Sequence, residues 1–157
     1  MKKVSADAVK ALREKTGAPM GDVRSALEAA GGDEAKARQI LQQKGFEAAL
    51  KRRGRATGMG RIEAYVHHDG RLAALVEVNC ETDFDARLPE FQQFCRDMAM
   101  QVSSMEPAGV SQLLEQPFIR DQGQTIAQYL TSLAAKTGEN VVIRRFTRFV
   151  LGEELRG

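Results

Sequence analysis

The run Val76-Glu77-Val78-Asn79-Cys80-Glu81-Thr82-Asp83-Phe84 constrains this chain more than any other. It opens as a strand, with Val76, Val78 and Cys80 on one side and Glu77, Asn79 and Glu81 on the other. The alternation then breaks at Thr82-Asp83-Phe84. A half-buried strand that ends in a polar turn and an aromatic has two readings. Asp83 caps the following helix and Phe84 packs into the core of its own chain, as most phenylalanines do. Alternatively, Phe84 is displayed at the mouth of the strand, beside a carboxylate, where it can wedge into a partner. Spacing alone favours the first.

The rest of the chain sorts into helices before this strand and a mixed region around it. Val9 and Leu12 mark a helix over residues 5–15, with Ser5 placed to take an orphan amide. Thr16-Gly17-Ala18-Pro19 breaks it. Val23, Ala26 and Leu27 give a second helix over residues 20–30, which Gly31-Gly32 ends. Asp33 caps a third, holding Ala37, Ile40 and Leu41, and Gly45 closes it. Helices this short are marginal alone, so they share a core of Val9, Leu12, Val23, Leu27, Ile40 and Leu41. The pattern over residues 46–53 allows a further helical stretch. Gly54, Gly58 and Gly60 then loosen the chain and place a boundary near residues 53–60.

Beyond the boundary, Ile62, Ala64 and Val66 share a face of a strand over residues 61–67. His68-Asp69-Gly70 turns the chain into a second strand over residues 72–80. Phe91, Phe94, Cys95, Met98 and Val102 recur at three and four, giving an amphipathic helix over residues 89–105. Residues 110–121 show no clear period. Residues 125–137 read as another helix, and alternation from Val141 toward Val150 and Leu151 gives a third strand. The fold class is therefore α+β: helices and a three-stranded antiparallel sheet. Helices covering one face of such a sheet leave the other in need of cover, which favours packing against a second sheet.

Composition excludes little but helps. The 157 residues carry a net charge of +2, too mild to argue for nucleic acid. Lys44, Lys51, Arg52, Arg53, Arg55 and Arg61 crowd one segment, which reads as a solvated helix end, an RNA contact, or attraction to an acidic protein surface. Cys80 and Cys95, with no paired spacing, suit a reducing compartment. No apolar run has membrane-spanning length and the amino terminus lacks a signal-peptide pattern, so a cytoplasmic location is expected. His67 and His68 lack partners at metal-ligand spacing. No Ser/His/Asp constellation, P-loop or metal cluster is evident, so no cofactor, metal or catalytic residue is expected and the chain does not read as an enzyme.

Three segments carry a resemblance. The run from Val76 to Phe84, with Ala86-Arg87 following, resembles the central signature of the elongation factor Ts family. Leu12-Arg13-Glu14-Lys15-Thr16-Gly17-Ala18 with Met20 and Asp22 is similar to its amino-terminal motif, and Gly138-Glu139-Asn140-Val141-Val142-Ile143-Arg144-Arg145-Phe146 to its carboxyl-terminal strand motif. Members are guanine-nucleotide exchange factors for elongation factor Tu. The resemblance implies a three-helix bundle similar to the ubiquitin-associated fold over residues 1–53 and an α+β core and dimerisation domain over residues 54–157. It implies that Thr82, Asp83, Phe84 and the adjoining Asp85 approach the partner's magnesium site, and that Arg13, Met20 and Gly21 meet its nucleotide-binding domain. It implies a homodimer with Val141, Ile143, Arg145 and Phe146 at or beside the interface, and no requirement for nucleic acid or membrane. The chain departs from the family pattern at four places. Asp85 stands where Val is usual, Gly21 where a second Met is common, Gln101 where relatives often carry His, and the segment after Pro107 is trimmed. Two rivals to the exchange reading are an adaptor built on the bundle and an RNA-binding protein using residues 51–61.

Overall fold

Ser5 begins the first helix, α1 (Ala6–Thr16): its hydroxyl accepts from the Ala8 amide at 3.1 Å. Gly17 ends it at φ 67°, a left-handed conformation that favours glycine, with its amide donating to the Arg13 carbonyl. These and the following elements come from a computed structural model that describes residues 3–155. Pro19 precedes α2 (Met20–Ala29), and the Asp33 carboxylate caps α3 (Glu34–Arg52) by accepting from the Lys36 amide. Val9, Leu12, Val23, Ala26, Leu27, Ala37 and Leu41 are buried together in one cluster.

Two local expectations fail here. Gly45 does not close α3, which runs unbroken through 19 residues. A glycine inside a helix costs about 1 kcal/mol relative to alanine, and here it sits where space is short. A Cβ on Gly45 would lie 3.2 Å from the Thr131 methyl group. Ile40 is 37% exposed, because the inward stripe of α3 is set by Ala37 and Leu41, four residues apart, and Ile40 is turned away from it.

The chain divides into two compact units. The first extends to Arg55 and takes in Leu130–Asn140 as well; the second comprises Ala56–Tyr129 and the chain from Val141 on. Within the first unit the Arg52 guanidinium donates to the Ala134 carbonyl at 3.2 Å.

The second unit is built on an antiparallel sheet of β1 (Met59–Val66), β2 (Leu72–Cys80) and β5 (Val142–Val150), in the order β1-β2-β5. β1 starts at Met59, before Gly60, so this glycine belongs to the strand rather than to a loose connector. It has φ 143°, and a Cβ there would stand 2.1 Å from the Val78 carbonyl oxygen. Ala74, Val76, Val78 and Cys80 are buried on the face that receives α5 (Pro89–Met105). From that helix Phe91, Phe94, Cys95, Met98 and Val102 are buried, in the spacing expected.

The region without a period folds as α6 (Val110–Glu115) and a small hairpin of β3 (Pro117–Phe118) and β4 (Asp121–Thr125), followed by α7 (Ile126–Thr137). Buried polar groups of α5 hold it. The Gln101 amide donates to the Pro117 carbonyl at 3.0 Å and accepts from the Ile119 amide at 3.0 Å. Asp97 accepts from the Tyr129 hydroxyl at 2.6 Å and from Arg120 at 3.2 Å. Both of these buried side chains thus find partners, as burial requires.

The other sheet face is open. Cross-strand register puts Ile62, Glu77 and Arg145 in one row, and Val66, Ala73 and Phe149 in another. Ile62, Val66, Leu75 and Phe149 are all exposed on it, Ile62 to 63%. No helix among the described residues is long and apolar enough to cross a membrane.

Candidate functional site

At the end of β2 the chain makes one helical turn, α4 (Asp83–Ala86), before α5 begins. Thr82 is its N-cap: the hydroxyl accepts from the Asp85 amide at 3.3 Å. The Cys80 thiol donates to the Thr82 carbonyl at 3.2 Å, tying the cap to the buried end of the strand. The turn alternates in exposure. Phe84 is 78% exposed, whereas Asp85 is 1% exposed and Ala86 is also buried. Asp83 is exposed and forms an ion pair with Arg87, four residues on.

This arrangement separates the residues expected to act together. Asp83 and Phe84 project a carboxylate and an aromatic ring side by side into solvent. Asp85 faces the interior, so it does not add a second carboxylate to the exposed tip. The role of Arg87 was not anticipated from the sequence, although an acid four residues before a base on a helix is a recognisable pair.

Arg13, Met20 and Gly21 belong to the other unit. Arg13 is exposed on α1; Met20, 58% exposed, and Gly21 open α2. A Cβ on Gly21 would meet nothing within 4 Å, so the position has open space around it. Of the carboxyl-terminal strand residues, Val141 and Ile143 are buried in their own chain. Phe146 is half-buried and opposite Val76. Arg145 lies on the open sheet face, where its guanidinium donates to Glu77 at 2.8 Å. That bond holds the Glu77 carboxyl below the usual carboxylate range.

Several basic side chains of the crowded segment already have partners. Lys44 pairs with Asp22, Arg61 with Glu63, and Arg52 with a main-chain carbonyl. His67 meets the Tyr65 hydroxyl through Nδ1 at 2.8 Å and stacks obliquely near His68. Cys80 and Cys95 are buried thiols, not a disulfide. Burial pushes the Cys95 thiol up to about 12, which makes it a poor nucleophile at neutral pH. What this surface offers is contact: an apolar ring, a neighbouring carboxylate, and a rigid strand end behind them.

Comparison with known proteins gives a consistent result. The family model described as Elongation factor TS matches residues 6–112 and 81–155. The chain is 42% identical to an elongation factor Ts from Rubrobacter xylanophilus over 188 residues, covering 91% of this chain and 96% of that protein. It is 41% identical to one from Carboxydothermus hydrogenoformans over 197 residues, covering 97% and 91%. Both alignments are longer than the 157 residues of this chain, so each relative carries residues with no counterpart here. A relative from Clostridium kluyveri is 44% identical over 152 residues, covering 97% of this chain and 50% of that protein.

Proposed function

The chain belongs to the elongation factor Ts family, and on that premise we propose that it binds the GDP form of elongation factor Tu and accelerates GDP release. The observation that carries this reading is the exposed Phe84, next to Asp83 on a turn anchored from below by Cys80, Thr82 and buried Asp85 and Ala86.

The mechanism is one of coupling rather than covalent chemistry, so the protein acts without a catalytic residue, cofactor or metal of its own. Factor and nucleotide each bind the GTPase in a different preferred conformation, and each lowers the affinity of the other by the same factor. Couplings of ~1–3 kcal/mol correspond to roughly 5–150-fold. Phe84 inserts between elements that flank the nucleotide, and Asp83 disturbs the groups that hold the partner's magnesium ion. A diphosphate that loses its cation loses charge neutralisation and dissociates faster. Arg13, Met20 and Gly21 serve docking, within a bundle of the ubiquitin-associated type.

We further propose that the protein acts as a homodimer in the cytoplasm, with the open sheet face covered by the same face of a second copy. Exposed Ile62, Val66, Leu75 and Phe149 support this assembly, since a contiguous apolar face of this kind marks an interaction site. The RNA-binding alternative, built on residues 51–61, loses support at two of its positions, because Arg52 and Arg61 are already engaged within the chain.

The test of the wedge is Phe84→Ala, compared with wild type in the maximal rate of release of a fluorescent GDP analogue from elongation factor Tu. A fall of tenfold or more at saturating factor is expected, as for loss of a central aromatic anchor worth about 2 kcal/mol. An unchanged maximal rate contradicts the role given to Phe84.

A further inference from the structure

We infer that Arg87 is a positioning residue for exchange, holding the Asp83 carboxylate and the Phe84 turn in the geometry offered to the partner. This inference rests on the exchange reading above. A helix of four residues cannot hold itself together, because the first turn fixes many dihedrals for few hydrogen bonds. The orientation of Phe84 must therefore come from outside the turn. At its start, Thr82 and Cys80 provide this through the hydroxyl bond to Asp85 and the thiol bond to the Thr82 carbonyl.

At its end, Arg87 grips the turn twice. Its amide donates to the Phe84 carbonyl at 3.3 Å. Its guanidinium reaches back along the same face to the Asp83 carboxylate. The residue carrying the exposed ring thus lies between two points fixed by one arginine. Asp83 and Asp85 place two acids in a single turn, and Arg87 balances the one that faces water. Without it, the Asp83 carboxylate samples several rotamers, and a smaller share of the docked molecules offers the geometry that drives release.

The pair is also releasable. Both side chains are largely exposed, and exposed pairs are weak. Asp83 can exchange Arg87 for a cationic group or ion on the partner at little cost. Arg87 thereby presets the carboxylate without locking it away.

The experiment uses the full chain and the fluorescent GDP release assay, with Arg87→Ala, Arg87→Lys and Phe84→Ala beside wild type. Arg87 is exposed, so circular dichroism should show an unaltered fold. Arg87→Ala should lower the maximal release rate by roughly two- to fivefold, the range of an exposed ion pair. Its half-saturating concentration should stay near wild type, and Arg87→Lys should restore most of the rate. Salt near 1 M should narrow the gap between Arg87→Ala and wild type, since the pair is then screened. An Arg87→Ala maximal rate equal to wild type overturns the inference. So does a change confined to the half-saturating concentration, which would place Arg87 in direct contact with the partner. If Phe84→Ala is slow while Arg87→Ala matches wild type, the exchange reading stands and the positioning role falls. If wild type itself gives no acceleration, both fall.

Discussion

An exposed phenylalanine forgoes about 1.5–3 kcal/mol that burial would contribute. Phe84 remains outside even though Asp85 and Ala86, the next two residues, turn inward. This inversion of the usual preference was half legible in the sequence: the break in alternation marked the place, but spacing alone favoured a core phenylalanine. The direction of the ring depends on a capped turn whose exposure follows from tertiary packing. Gly60 is the opposite case. It reads as one more connector glycine, yet its φ of 143° and the nearby Val78 carbonyl leave no room for a side chain. Gly60→Ala should destabilise the protein by at least about 1–3 kcal/mol, the usual cost of a residue held in a disfavoured backbone region. Thermal unfolding followed by circular dichroism checks this; an unchanged midpoint would show that the edge strand relaxes around the new methyl group.

Helices α1, α2, α5 and α7 and the three principal strands follow from apolar periodicity, and α5 matches its spacing closely. The β3–β4 hairpin does not, because side-chain hydrogen bonds from Gln101 and the Asp97 network hold it, and those leave no periodic trace. The continuation of α3 through Gly45 was hidden for a related reason. A glycine read as a stop signal is, in the fold, a point of close approach to Thr131. The return of Leu130–Asn140 to the first unit bears on how docking should be tested. Removing residues 1–53 would strip Leu133 and Ala134, both buried, of their surroundings, and would confound lost docking with lost stability. A surface change is cleaner. Met20→Asp, at the exposed start of α2, should raise the half-saturating concentration for exchange severalfold, by about 1 kcal/mol or more, while leaving the maximal rate near wild type. A loss confined to the maximal rate would instead place Met20 in the release step.

For the whole molecule, the open face of the sheet has the most consequence. The sequence showed that a three-stranded sheet with helices on one side needs cover on the other. The family resemblance implied an interface at or beside Val141, Ile143, Arg145 and Phe146, of which Val141 and Ile143 prove to be buried in their own chain. The exposed residues on that face come from all three strands. The Glu77–Arg145 pair, at 2.8 Å, sits among them and would fix the register of a second sheet laid across it. Ile62→Asp should convert a sedimenting dimer to a monomer with its helical and strand content intact. A wild-type monomer at micromolar concentration would contradict the dimer. Exchange itself is tested most directly by the release of a fluorescent GDP analogue from purified elongation factor Tu with increasing amounts of this protein and magnesium held constant. An acceleration that rises with concentration and saturates is the expected result of exchange. A release rate that stays at its spontaneous value across that range would contradict it.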